Sequence, residues 1–347
     1  MINIKLLKAL NGDSIILSYG EQKIHHILID GGHGRVCFRQ LRDFVIQLQE
    51  ENNKIDVVIL THIDSDHIGG IIHLYSQDNF DFSIINEMWF NFGESLMVAV
   101  GSEGKKEEIN LYSNGTKISW QQGRDLESIL QSVDMKRESF VKALDKFSIG
   151  EAQITILSPS IEILKQLAEN GSKEEIRTAQ ISAAYDYEKS VEELNEKEFE
   201  GIVSLTNKSS IAFLFEYKET SLLFLGDADA ETIINSLKKL GYSNKNKLKV
   251  AFCKVAHHAS KHNTSNELIQ MLDCRNYLLS TQHTAQGRPS KECLSRIICN
   301  STSAVKFYCN YDIDIDSIFL KEELSKYEIE FIILNENGID VEEDRQC

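Results

Sequence analysis

Apolar and polar residues alternate from the start of the chain, with Ile2, Ile4 and Leu6 set against Asn3, Lys5 and Lys8, and this period of two predicts a first strand over 2–9. Asn11-Gly12-Asp13-Ser14 reads as a turn, 14–19 as a second strand, and 24–32, ending in Asp30-Gly31-Gly32, as a third. The opening is therefore a β-meander. Over 39–51 the period changes, and Leu41, Phe44, Val45 and Leu48 fall on one side of a helix. Four apolar residues in a row at 57–60, rich in β-branched types, then read as a buried strand. An antiparallel opening followed by β-α-β is the pattern of a mixed sheet covered by helices, so the class is α/β.

Further along, 84–92 reads as a strand, 93–115 as a Gly-, Ser- and Lys/Glu-rich loop, 119–147 as two helical pieces and 154–159 as a strand stopped by Pro159. Residues 160–200, dense in Glu and Lys, read as a helical excursion. The sheet resumes with a hairpin, 210–217 and 221–225, around Lys218-Glu219-Thr220. A helix over 228–240, a strand over 248–256, a short helix at 267–272 and a strand at 276–280 come next. A helix through Ile298 and closing strands at 304–309 and 329–334 complete the pattern. The expected organisation is one domain over 1–347 with a variable excursion at about 93–205.

Composition narrows the function. No run approaches the eighteen or so apolar residues needed to cross a bilayer, and Met1-Ile2-Asn3-Ile4-Lys5 has none of the features of a secretory signal, so a cytoplasmic protein without membrane contact is expected. Seven cysteines lie scattered with no CxxC pair, which argues against a thiolate zinc site and a disulfide framework. The net charge of −16 argues against a broad basic surface for nucleic acid; Lys105-Lys106-Glu107-Glu108 shows how cations are interleaved with acids.

The candidate chemistry is concentrated after the 57–60 strand. In Thr61-His62-Ile63-Asp64-Ser65-Asp66-His67-Ile68-Gly69-Gly70, four metal-type ligands occupy six positions. In an irregular turn, His62 and Asp64 can serve one ion while Asp66 and His67 serve a second. Gly69 and Gly70 then let the backbone fold closely before a helix that is expected to begin near Ile71. Two other strands end in the same chemistry, at Gly226-Asp227 and at His257-His258. Alone, each is as easily a turn or a satisfied histidine pair. Together, strand ends of a layered α/β fold can bring them to one sheet edge.

These motifs, with Asn11-Gly12-Asp13-Ser14 and Leu28-Ile29-Asp30-Gly31-Gly32, resemble the metallo-β-lactamase superfamily, in particular the hydrolase domain of bacterial competence proteins. The resemblance spans most of 2–300, with 93–205 poorly covered. It implies an αββα sandwich of two mixed sheets flanked by helices, with a dinuclear site at one edge. On this chain it implies His62 and Asp64 at a first metal, Asp66, His67 and one of the 257/258 pair at a second, and Asp227 between them. His258 is the expected ligand and His257 the expected neighbour of substrate, with the reverse order open. Asp30 is expected to accept a hydrogen bond from a ligating histidine. Two divalent ions are implied, Zn²⁺ first and Mn²⁺ as the alternative.

Three departures stand out. Many relatives carry a further histidine between the first motif and Gly-Asp, and none occurs here between His73 and His257, so Asn91 or Glu94 is considered as a completing group. Ala259 stands where glycine is frequent. Asp64, in place of a more usual second histidine, points away from β-lactam hydrolysis. The implied activity is that of a metal-dependent phosphodiesterase or nuclease, in which a hydroxide held between two divalent ions attacks phosphorus, with Asp66 and His257 as catalytic residues. Lys261, His283 and Arg288 are candidates to hold the phosphate. The substrate is expected to be DNA, RNA or a small nucleotide; the alternatives are a small-molecule phosphodiester or ester hydrolase, and a metal-binding subunit of a bacterial defence or stress system active with a protein partner from the same operon.

Overall fold

The computed structural model describes residues 1–101, 114–133, 135–174, 186–202, 204–282 and 287–341. Seventeen strands are assigned among them. In chain order they are β1 (Ile2–Leu6), β2 (Ile15–Gly20), β3 (Ile24–Ile29), β4 (Val57–Ile59), β5 (Glu87–Trp89), β6 (Lys136–Glu138), β7 (Lys146–Ile149), β8 (Ala152–Ser158) and β9 (Ala212–Tyr217). There follow β10 (Thr220–Phe224), β11 (Leu248–Lys249), β12 (Phe252–Lys254), β13 (Leu272–Asp273), β14 (Asn276–Leu279), β15 (Lys306–Cys309), β16 (Glu330–Ile333) and β17 (Ile339–Asp340). One sheet has the order β17-β1-β2-β3-β4-β5-β6 and the other β16-β15-β14-β12-β10-β9-β8-β7; β11 and β13 pair separately.

Both sheets are mixed, each changing from antiparallel meander to parallel ladder. The change falls at β3–β4 in the first sheet and at β10–β12 in the second. Apolar side chains from both sheets, among them Tyr19, Ile27, Trp89, Phe213, Phe224 and Phe252, form one buried layer between them. The outer face of the first sheet is covered by the helices Gly34–Glu50, Ser65–Tyr75 and Asn114–Ser132. The outer face of the second is covered by Ala230–Lys239, Asn266–Gln270 and Lys291–Asn300. The architecture is helix, sheet, sheet, helix, and it follows from binary patterning. In Gly34–Glu50, for example, Cys37, Leu41, Val45 and Leu48 form the buried stripe, each large aliphatic contributing about 1.5–3 kcal/mol on burial.

Three elements differ from the expectation. Residues 119–147 are helical only as far as Ser132, after which Lys136–Glu138 pairs parallel with β5 and Lys146–Ile149 forms a hairpin with β8. Three charged residues carry no strand signal of their own; their pairing with Glu87–Trp89 overrides local preference. The loop expected over 93–115 contains a helix at Gly93–Ala99, and 102–113 lie outside the described residues.

The third difference shapes the site. The helix after the ligand turn begins at Ser65, not near Ile71, with Asp64 at its N-cap, so Asp66 and His67 sit in the first helical turn. Gly69 and Gly70 lie inside this helix. A Cβ on Gly70 would stand 1.9 Å from the Gly31 carbonyl oxygen, and one on Gly69 2.7 Å from the Gly34 nitrogen. The glycines let the helix backbone press against the Asp30-Gly31-Gly32 turn.

Candidate metal centre

Parallel strands of both sheets deliver their C-terminal ends to one edge. β3 leads to Asp30, β4 to Thr61 and His62, β10 to Asp227, β12 to His257 and His258, and β14 to Ser280. Of the expected residues, His62, Asp64, Asp66, His67, Asp227, His257, His258 and Asp30 come together here. Nε2 of His62 lies 3.5 Å from Asp64 Oδ2 and 3.7 Å from Asp227 Oδ2. His67 Nε2 is 3.5 Å from the same Asp227 oxygen. His258 Nε2 is 3.7 Å from Asp66 Oδ2 and 3.8 Å from Asp227 Oδ1. His62, His67 and Asp227 form one group of candidate ligands, and Asp66, His67 and His258 another.

The outer nitrogens fix how these rings face. His67 Nδ1 lies 2.8 Å from Asp30 Oδ2, and that carboxylate also accepts from Thr61 N (2.7 Å, to Oδ1) and Thr61 Oγ1 (2.8 Å, to Oδ2). With its proton given to Asp30, Thr61 Oγ1 accepts from His62 Nδ1 at 3.0 Å. His258 Nδ1 faces the Ser280 carbonyl at 2.9 Å. In all three rings the proton belongs on Nδ1, so each Nε2 turns a lone pair inward. Nε2 of His62, His67 and His258, with Asp227 Oδ1, are buried polar atoms with no hydrogen-bond partner among the described residues. Four orphaned acceptors facing one another is an arrangement that fits a cation.

Without an ion the surrounding carboxylates favour protons on two of these rings, and a cation would take the place of those protons. Asp13, Asp30, Asp64, Asp66 and Asp227 stand against the cations Lys254 and Arg288 around the cluster. Burial opposes protonation of His67, but Asp227 and Asp30 outweigh it and hold its pKa well above the usual 6.5. Burial opposes that of His62 too, and Asp64 with Asp227 raises it. Burial works against ionisation of Asp227, yet His257, His67 and His258 keep it well below the carboxylate range. His257 goes the other way: burial, then the Arg288 guanidinium, push it down to about 3.

Behind His258 lies a buried ion pair, Lys254 Nζ to Asp13 Oδ2 at 2.6 Å, with Asp13 Oδ1 3.4 Å from His258 Nδ1. The 11–14 turn is clamped there: the Gly12 carbonyl accepts from Ser280 Oγ at 2.7 Å, and a Cβ on Gly12 would stand 1.9 Å from the Asp66 carbonyl oxygen. His257, His258 and Ala259 all have left-handed backbone, with φ of 49°, 55° and 61°. Such residues cost on the order of 1–3 kcal/mol each outside glycine and mark sites that packing over-determines.

Other expected residues lie elsewhere. Asn91 spends both ends of its amide on the Val141 backbone, donating to its oxygen (2.6 Å) and accepting from its nitrogen (2.8 Å), so it does not complete the cluster. Glu94 is exposed. Arg288 reaches His257, whereas Lys261 is held through its carbonyl, which accepts from Arg296 Nη1 at 2.6 Å; among the described residues no hydrogen bond joins its side chain to the cluster. His283 lies outside the described residues. Sequence reasoning missed Thr61, Asn207, Ser210 and Asn263. Ser210 Oγ accepts from Asp227 N at 3.0 Å, and the Asn207 amide nitrogen stands 3.3 and 3.4 Å from the two ring nitrogens of His257. The available signal was position: Asn207 and Ser210 directly precede the strand that pairs with β10.

Two mixed sheets lie between helices, with a His/Asp cluster at the sheet edge, and residues 15–87 match the family model described as the metallo-beta-lactamase superfamily. Comparison with the curated proteins finds no match. Among solved structures, the chain is similar to the metallo-beta-lactamase fold protein YhfI from Bacillus subtilis, with 10% identity, 97% of each chain covered and a TM-score of 0.43. It is similar to Zn²⁺-bound PqqB from Methylobacterium extorquens, at 10% identity over 94% of this chain and 86% of that one, TM-score 0.42. A diphosphatase from the PhnP family aligns at 12% identity over 94% and 82%, TM-score 0.37.

Proposed function

We propose that the protein is a metal-dependent hydrolase acting on phosphodiesters, and a nuclease in the first instance. The observation that carries the metal part is the convergence of three imidazole Nε2 atoms and Asp227 Oδ1, all buried and without hydrogen-bond partners among the described residues. In this reading His62 and Asp64 hold a first cation, Asp66, His67 and His258 a second, and Asp227 lies between, with Oδ2 toward His62 and Oδ1 toward His258. Zn²⁺ suits the nitrogen-and-carboxylate set, and Mn²⁺ its oxygen-rich half. Divalent ions held there would lower the pKa of water to about 7 and neutralise charge on phosphate oxygens.

The chain's own residues supply the rest. Asp30, Thr61 and Ser280 hold the rings in the tautomer that leaves Nε2 free. Ser210 fixes the Asp227 backbone. Arg288, which has no carboxylate partner among the described residues, is the group placed to receive an anionic substrate. A net charge of −16 favours a second reading, a small phosphodiester rather than a long duplex, because a small anion needs only the cations and one guanidinium.

The test is a panel of labelled single- and double-stranded DNA, RNA and chromogenic small phosphodiesters, run with Zn²⁺ or Mn²⁺ on wild type and Asp227→Asn. Turnover lost in the variant supports the hydrolase reading, and the preferred substrate separates nuclease from small-molecule enzyme. Absence of turnover on every substrate with every metal defeats it.

A further inference from the structure

With no histidine between His73 and His257, the first cation position is left with His62, Asp64 and a share of Asp227. His257 stands beside that position in an orientation its neighbours define. Asn263, fully buried, donates its amide nitrogen to the carbonyls of Asp227 (2.9 Å) and Ala228 (3.2 Å). Its Oδ1 is thereby turned to His257 Nδ1, 2.9 Å away, and this contact requires the ring proton on Nδ1. Nε2 then carries the lone pair. It lies 3.4 Å from Asp227 Oδ2, with Arg288 Nη2 at 2.6 Å.

A lone pair and a carboxylate oxygen at that separation repel unless a cation lies beside them, and Arg288 supplies one. The same Asp227 oxygen is 3.7 Å from His62 Nε2 and 3.5 Å from His67 Nε2. Tetrahedral zinc with bonds of about 2.0–2.1 Å holds its ligand atoms about 3.3–3.4 Å apart. Three imidazole nitrogens therefore surround Asp227 Oδ2 near the spacing of shared coordination, and His257 is the nearest of them.

We propose that both members of the 257/258 pair are metal ligands, one to each cation: His257 Nε2 joins His62, Asp64 and Asp227 at the first position, His258 Nε2 joins Asp66 and His67 at the second, and Arg288 yields the His257 lone pair to the incoming ion. The proposal rests on the two-cation reading above. It revises the expectation that His257 only touches substrate, and it gives the left-handed backbone at 257 and 258 a purpose, since consecutive residues in that conformation present both rings to the same cluster. It also couples loading to recognition. A guanidinium and a divalent ion cannot share one lone pair, so the ion that arrives frees Arg288 for the substrate anion.

The experiment strips the full-length protein with a chelator, titrates Zn²⁺ against a competing chelator by calorimetry, and counts bound metal by elemental analysis. Wild type is expected to hold two ions per chain. His257→Ala should keep one and bind the other at least about 10–100-fold more weakly, the loss seen on removing even an outer partner of a ligand. Arg288→Met should bind the first ion more tightly than wild type. Circular dichroism checks the fold of each variant; should His257→Ala not fold, His257→Gln replaces it, and the absorption spectrum of the Co²⁺-loaded Arg288→Met protein against wild type reads ligation at the same position. Two ions bound with unchanged affinities in the folded His257 variant overturn the ligand assignment and leave the two-cation reading standing. A wild type that binds no metal overturns both, and unchanged affinity in Arg288→Met overturns the exchange.

Discussion

Asp30 Oδ2 lies 2.8 Å from His67 Nδ1, and the same carboxylate takes the backbone and hydroxyl protons of Thr61. Asp30 is thus the point through which two cluster histidines are oriented, His67 directly and His62 by way of Thr61 Oγ1. Replacing it with asparagine keeps an acceptor for Thr61 N but turns an NH₂ group toward His67 Nδ1, which favours the opposite tautomer. Asp30→Asn is expected to weaken Zn²⁺ binding by about 10–100-fold. Competition with a chromogenic chelator measures this, and an affinity equal to wild type would remove Asp30 from the site.

Much of this edge was legible along the chain because ligands follow directly on apolar strands. The 62–67 run, Gly226-Asp227 and His257-His258 each sit just past a buried strand end, where side chains leave the sheet. Asn207, Ser210 and Asn263 were not legible. They are ordinary polar residues of loops and a short helix whose partners are 50, 17 and 36 residues away, and only the closed fold turns them inward. Asn91 shows the converse error: it lies near the right strand, but Val141 takes both ends of its amide. The helix start was misplaced for a related reason, since a glycine pair reads as a turn unless the opposing backbone at Gly31 is known.

That close approach carries its own prediction. Gly70→Ala puts a methyl where the nearest backbone atom, the Gly31 oxygen, leaves 1.9 Å, and no flexible side chain can yield. Separation of the helix Ser65–Tyr75 from the Asp30 turn should destabilise the protein by about 1–3 kcal/mol or more and weaken metal binding together with it. Urea unfolding and chelator competition on the same variant test the coupling; loss of stability with intact metal affinity would mean the turn and the cluster are independent.

The Lys254–Asp13 pair has side chains only 1% and 2% exposed, so its partners cannot fall back on water. Lys254→Met leaves a buried carboxylate without its cation, and is expected to cost about 3–5 kcal/mol. Adding Asp13→Asn should recover most of that loss, because the uncompensated charge is what hurts. Equilibrium denaturation of both singles and the double variant gives the coupling. A Lys254→Met protein within about 1 kcal/mol of wild type would show that the pair is solvated in solution.

The proton balance of the cluster sets how metal and pH trade places. His62 and His67 have folded pKa values above the unfolded 6.5, so their protonated forms contribute stability that is fully present below 6.5 and lost as pH rises through the folded values. Asp227, held well below 3.8, stays ionised across that range, and its contribution fades only in acid. His257, pushed down to about 3, is neutral in the fold, and well above 6.5 it is neutral unfolded as well and adds no slope there. Chelator-treated protein should therefore be less stable well above pH 6.5 than below it, as the rings that offset the carboxylates lose charge. Zn²⁺ binds the deprotonated rings and replaces that charge, so the rise in Tm on adding it should be larger at the higher pH. Thermal melts with and without the metal at both pH values decide the matter: a Tm increment that is constant or falls as pH rises would mean that the ion does not displace protons from His62 and His67.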